Sequence, residues 1–265
     1  MIIDFHAHAF PEKIVSGAVG QLETHYGVKI KQSGRCQALL LNMEKGGIDK
    51  AVFFNVATKP SQVANANKWI LAHASEKLIP FGTLHPEDPA WPERLKEIAP
   101  YVHGIKLHPD FQGFYPDDQT YWPMYEAIFA LELPILFHAG DEKLPYAAPE
   151  RLAKVVAGFP GGKIILAHLG GYARWDEAEK YILGRDVWLD TSSVFWRLGP
   201  ERTWKLIRKH DPERILFGTD YPLSSYPQEL AWIRQYATEK ERELFFHKNA
   251  ERLLGLNAGG KIKAG

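Results

Sequence analysis

Short apolar runs rich in β-branched and aromatic residues recur eight times along this chain, and a longer segment with helical periodicity follows each one. The runs fall at residues 2–5, 51–56, 79–84, 104–107, 134–137, 163–167, 187–190 and 214–218, and the helical stretches near 37–45, 61–76, 92–99, 119–131, 149–157, 174–183, 200–209 and 227–236. Several of those stretches open on Ser or Pro, as helix starts do. Parallel strands need a long crossover, usually a helix, so this alternation predicts a parallel sheet. Eight units of about 30 residues predict that the sheet closes on itself: an α/β protein, a (β/α)8 TIM barrel. A further helix over 239–254 runs into Gly255, which predicts one domain over 1–256 with a C-terminal helix. Residues 257–265, rich in Gly, Lys and Ala, read as a flexible tail. Segment 9–37 is longer than a usual βα loop and is expected to form a flap over the barrel mouth. An open doubly wound sheet is the competing arrangement, but no Gly-rich phosphate loop follows the first strand.

Composition narrows the function. With 45% hydrophobic residues the chain has ample material for a core, and 32 basic residues balance 32 acidic ones. That balance provides no field to attract nucleic acid or an anionic membrane, and no apolar run is long enough to span a bilayer. The one cysteine, Cys36, has no partner for an intrachain disulfide and fits a reducing compartment. The first residues lack the basic and apolar regions of a signal peptide, so a cytoplasmic location is expected. The expected partner is a small molecule, with a carboxylate as one candidate. Oligomeric state is left open, a homodimer among the options.

Barrel active sites lie at the carboxyl ends of the strands. The first strand ends in His6-Ala7-His8, whose two imidazoles at i and i+2 share one face of a strand. The third strand ends at His85, the fourth carries Lys106 and His108, the fifth His138, the sixth His168 and the eighth Asp220. Six of the 11 histidines thus sit at or just past strand ends. The others, His25, His73, His103, His210 and His247, read as surface or packing residues, and His85 and His108, each before a proline, as loop-shaping residues. Arg174, Arg197 and Trp196 follow strands six and seven, where substrate loops belong, and Arg suits a bidentate grip on a carboxylate. Phe10, Phe111, Phe114, Trp175 and Tyr221 add aromatic density to the same face.

His6-X-His8 on strand one, histidines ending strands five and six, and an Asp ending strand eight resemble the amidohydrolase superfamily. The closing stretch Asn249-Ala250-Glu251-Arg252-Leu253-Leu254-Gly255 resembles the end of its second family, which includes the aminocarboxymuconate-semialdehyde decarboxylase-like enzymes. The resemblance implies that His6, His8, His138 and Asp220 hold one divalent metal, zinc before manganese. It also implies Asp220 as general base, His168 as an acid/base or substrate contact, and Lys106 as a substrate contact. In a binuclear branch Lys106 would instead be carboxylated and His168 would bind a second metal. TatD-like nucleases carry a glutamate where Lys106 stands, which counts against DNA as substrate.

Two activities follow. The first is hydrolysis of a lactone, ester or amide by a metal-activated water. The alternative is metal-dependent, non-oxidative decarboxylation of an aromatic or unsaturated acid, favoured by the aromatic loops and Arg197. A catalytically silent metal-binding scaffold is the third reading.

Overall fold

The computed structural model describes residues 1–256, and the expected tail at 257–265 lies outside the described residues. Among the described residues nine short strands run parallel: β1 (Ile3–His8), β2 (Lys50–Phe54), β3 (Leu78–Pro80), β4 (Gly82–Thr83), β5 (Ile105–Leu107), β6 (Ile135–Phe137), β7 (Ile164–Leu166), β8 (Trp188–Asp190) and β9 (Ile215–Leu216). They form ladders in the orders β1-β2-β3 and β4-β5-β6-β7-β8-β9. Hydrogen bonds from Phe5 N to Phe217 O (2.7 Å) and from His8 N to Tyr221 O (2.7 Å) join the last strand to the first. The chain is a (β/α)8 barrel.

The run at 79–84, expected as one strand, is two. Phe81 separates β3, which pairs with β2, from β4, which pairs with β5. Its ring turns into the barrel, edge-on to Phe5 at 5.7 Å, and against Gly104, where a Cβ would come within 2.4 Å of it. Phe5, Val52, Phe54, Ile79, Leu136 and Ile165 fill the barrel interior with it, and their strand neighbours face the surrounding helices. Burial on both faces explains why the strands read as continuous apolar runs.

The helices are α1 (Val15–Tyr26), α2 (Cys36–Gly46), α3 (Val63–His73), α4 (Trp91–Ile98), α5 (Pro109–Gln112), α6 (Trp122–Ala130), α7 (Pro149–Gly158), α8 (Trp175–Tyr181), α9 (Val194–Leu198), α10 (Pro200–Ile207), α11 (Tyr226–Tyr236), α12 (Glu239–Glu243) and α13 (Asn249–Leu254). The expected C-terminal helix is α12 and α13 joined by a wide helical turn at Leu244–Lys248. Asn249 Nδ2 donates to Ile215 O (2.7 Å), and Ala250 and Leu253 cap the interior core. Among the described residues no helix is long and apolar enough to cross a membrane.

Two local features position the site. Between Asp4 and Ala7 the register of β1 on β2 slips, three residues advancing against two. Such a bulge re-aims side chains: Ile3 and Phe5 face the interior before it, and Ala7 faces outward after it. Asp4 braces the turn by accepting from His6 N (3.0 Å), Thr219 N (3.0 Å) and Thr219 Oγ1 (2.6 Å). The flap at 9–37 is built around α1. Asp141 pairs with His25 at 2.7 Å, and Lys143 Nζ donates to the carbonyl of His25, which ties α1 to the loop after β6.

Candidate active site

A cavity of about 810 Å³ opens at the carboxyl ends of the strands. Its lining includes His8, His108, His138, His168 and Asp220, with Phe10, Tyr26 and Phe111 as aromatic walls. His6 lies fully buried against this floor.

The hydrogen-bond partners define the tautomers. Asp190 Oδ2 lies 2.8 Å from His6 Nδ1, so that nitrogen carries the hydrogen and Nε2 keeps a bare lone pair. His168 Nδ1 donates to Ser192 O (2.9 Å), so its Nε2 accepts from His138 Nδ1 (3.1 Å), and His138 Nε2 is bare as well. Both bare nitrogens are buried with no hydrogen-bond partner. His6 Nε2 and His8 Nε2 stand 3.4 and 3.3 Å from Asp220 Oδ1.

Burial lowers the pKa of His6 to about 3, and the nearby Lys106 charge adds to the effect against Asp190 and Asp220. His8 and His138 are lowered as well, chiefly by burial. Burial alone would raise Asp220, but the contact from His8 and the surrounding imidazoles of His6 and His168 hold it far below the carboxylate range. Neutral imidazoles beside an ionised carboxylate are the protonation states a divalent cation requires. The acceptors His6 Nε2 and Asp220 Oδ1 face each other, which is favourable only with a proton or a cation between them. The residues therefore fit the expected metal, and three imidazoles with a carboxylate suit zinc or manganese.

His6, His8 and Asp220 bring ligand atoms within 4.8 Å of one another; by that measure His138 groups instead with His108 and Asp110. The second group is a poor cage. His108 and His138 stack at 3.8 Å and 10°, so an ion in the plane of one ring lies outside the plane of the other.

Several expected site residues stand apart from the cavity lining. Lys106 alternates with outward-facing Ile105 and Leu107 and therefore points into the barrel, fully buried. Its Nζ has no hydrogen-bond partner, lies 4.9 Å over the Phe54 ring, and has its pKa lowered by burial to about 8. Arg174 pairs with Glu177 at 2.8 Å. Arg197 lies over Tyr172 (5.2 Å) and beside Trp196 (5.5 Å), 3.6 Å from Glu142. Of the loop aromatics, Phe10 and Phe111 line the cavity, whereas Phe114, Trp175 and Tyr221 are buried in the core. His85 Nδ1 accepts from Glu87 N (3.2 Å), a loop-shaping role.

Asp190 and Ser192 escaped the sequence reading. Besides holding His6, Asp190 Oδ1 accepts from His168 N (3.0 Å), Ser192 N (3.0 Å) and Ser192 Oγ. An acid at the carboxyl end of strand seven was the available signal. Backbone strain gathers here too, with positive φ at His168 (59°), Ser193 (56°) and Asp220 (68°). Gly140, at φ +76°, lets the loop after His138 lie against the backbone of Tyr172, where a Cβ would come within 2.5 Å.

Behind the floor, Glu229 on α11 is 1% exposed; Ser224 Oγ donates to one of its oxygens (2.7 Å) and the other has no partner. Burial pushes its pKa up to about 8, from an ordinary value of 4.5. The folded chain then holds a proton that the unfolded chain releases. This stability is complete below pH 4.5 and is lost as the pH rises through about 8. Glu229→Gln is expected to match wild type in thermal unfolding near pH 5 and to melt several degrees higher at pH 9.

A closed parallel barrel with neutral imidazoles and an ionised carboxylate at its mouth defines a barrel enzyme with a candidate divalent-cation site. The chain belongs to the amidohydrolase family, whose second model matches residues 3–256. It is 25% identical over 194 residues to the decarboxylase orsB of Emericella nidulans, 63% of this chain and 50% of that protein. The chain thus spans about half the length of the curated relative it matches. A dihydroxybenzoic acid decarboxylase from Polaromonas sp. JS666, solved with manganese and 2-nitroresorcinol, superposes with a TM-score of 0.72 at 19% identity, covering 97% of each chain. A probable 2-pyrone-4,6-dicarboxylic acid hydrolase from Acinetobacter baumannii, with bound citric acid, gives 0.67 at 16% identity over 96% of this chain and 99% of that one.

Proposed function

We propose that this protein is a metal-dependent, non-oxidative decarboxylase of an aromatic or unsaturated carboxylic acid. The observation that carries the proposal is the cavity, in which Phe10, Tyr26 and Phe111 wall a floor of histidines around ionised Asp220. A planar acid fits between such walls, with its carboxylate toward the floor. Apolar walls also favour the reaction, because the charge of a carboxylate disperses as carbon dioxide leaves. The two decarboxylases among the relatives support this activity over hydrolysis, the activity put first from the sequence, and the Acinetobacter hydrolase is the counterexample.

A divalent cation held by His6, His8, His138 and Asp220, manganese as in the Polaromonas structure or zinc, would supply a Lewis acid to orient the substrate. His168 is the side chain assigned to carry the proton for the carbon that bears the carboxylate, and to carry it on Nε2 it must give up the bond that Nε2 accepts from His138 Nδ1 (3.1 Å). The proton adds to that carbon with a ring π pair. The carbon–carboxylate bond then breaks, its electron pair restores the ring, and carbon dioxide departs. Asp190 Oδ1, accepting from the backbone N–H of His168 (3.0 Å), positions that residue. Lys106 beneath the floor adds positive potential that favours an anionic substrate.

Protein loaded with manganese or zinc is expected to release carbon dioxide from a panel of benzoic and dienoic acids, to stop after dialysis against chelator, and to recover when metal is restored. Turnover of lactones or esters without carbon dioxide release would overturn the proposal.

A further inference from the structure

The cavity continues past its aromatic walls into a groove that the proposed reaction does not use. One face of α1 forms a side of this groove: Ile14, at the N-cap, then Gly17, Ala18, Gln21 and Leu22 line the cavity. Their spacing of i, i+3, i+4, i+7 and i+8 is the stripe that a surface helix normally packs on a core. Here only Leu22 of the five is buried, and Ile14 is 49% exposed. Ala57, after β2, with Asn65 and Ala66 on α3, lines the same cavity from the barrel side.

Among the described residues nothing fills this groove. A Cβ on Gly17 would meet no atom within 4 Å, so no close packing requires a glycine there, although glycine weakens a helix interior. A one-ring acid of about ten non-hydrogen atoms, at ~20 Å³ for each when close-packed, fills about 200 Å³. The cavity has about 810 Å³. An apolar helix stripe left uncovered along a binding cavity points to a ligand that reaches beyond the ring.

We propose that the groove along α1 is a tail subsite, which makes the substrate an aromatic acid with an alkyl chain opposite its carboxylate. A carboxylate directed at the floor turns the opposite ring position outward, toward the groove. A chain at that position lies along Ile14, Ala18 and Leu22 and covers apolar surface that α1 otherwise shows to water. Each methylene it buries strengthens binding by about fourfold. Gln21 and Asn65, both exposed, keep the outer edge of the groove polar. Gly17 is the specificity-determining position, because any side chain there takes up the space of the tail. This inference rests on the decarboxylase proposal for the acid and its orientation, but its test does not require turnover.

Calorimetry with manganese-loaded protein would compare 4-hexylbenzoate with benzoate. Wild type is expected to bind the hexyl acid at least about 30-fold more tightly. Gly17→Leu places a branched side chain in the groove and improves helix propensity. It is expected to cut that ratio about tenfold or more, with benzoate affinity moving less than about threefold, metal content constant and the melting temperature no lower. Ile14→Ser removes apolar wall at an N-cap, where serine is favoured, and is expected to cut the ratio about threefold or more. No preference for the hexyl acid in wild type, or an unchanged ratio in Gly17→Leu, would overturn the assignment. So would an equal loss for both acids in the two variants, since that marks a general disturbance of the site. Carbon dioxide release is scored separately. Chain preference without release leaves the subsite standing and removes the decarboxylase proposal, and release from one-ring acids without chain preference does the reverse.

Discussion

Asp220→Asn is expected to lower turnover by about a thousandfold or more and to leave the metal-free protein no less stable than metal-free wild type. Both halves follow from one contact. Asp220 is held by its backbone N–H on His6 O (2.8 Å) and by Ser193 Oγ on Oδ2 (2.6 Å), which leaves Oδ1 facing the bare Nε2 of His6 at 3.4 Å. Without a cation, two acceptors oppose each other there. Asparagine keeps the shape, removes the charge that would bind a cation, and can turn an N–H toward His6 Nε2. Elemental analysis of metal per chain, thermal unfolding after chelation and turnover check the three consequences. Activity within tenfold of wild type with normal metal content would remove Asp220 from the ligand set. An Asn variant melting well below metal-free wild type would show that the carboxylate is structural.

The barrel was legible because its strands are buried on both faces and its helices are amphipathic, and both leave a period in the sequence. The polar strand ends were legible for the same reason, since an imidazole or carboxylate closing an apolar run is conspicuous. What depends on side-chain direction was hidden. Simple alternation from Phe5 would turn His6 away from the interior, and only the bulge in β1 restores it. Lys106 was visible, but its position beneath the floor came from its neighbours on β5. Asn55 was absorbed into a strand drawn to residue 56, although β2 ends at Phe54 and Asn55 occupies the first position of the mouth. The break at Phe81 rests on a contact with Gly104, which no local pattern encodes. His25 reads from the sequence as a surface or packing residue, and its pairing with Asp141 shows what it packs: the flap.

Asp190→Asn is expected to raise the metal concentration needed for half-saturation about 10- to 100-fold, the range for losing a partner that orients a ligating histidine. The direction comes from the two ends of the Asp190 side chain. Oδ1 accepts two backbone N–H groups and the Ser192 hydroxyl, so an asparagine must place its carbonyl oxygen there. Its NH2 group then faces His6 Nδ1, where the carboxylate oxygen now lies at 2.8 Å. A donor at that point moves the imidazole hydrogen to Nε2 and occupies the lone pair that faces Asp220. Burial opposes charging the ring, so His6 cannot escape by taking a second proton. The variant should therefore fold with its frame intact, bind metal weakly, and recover much of its turnover at high metal concentration. Asp190→Ala, which also releases His168 N and Ser192, should lose stability as well and recover far less. A metal titration of both variants beside wild type separates the cases. Equal metal affinity in Asp190→Asn and wild type would mean that His6 does not bind through Nε2, and the cation site would have to be redrawn around His8, His138 and Asp220.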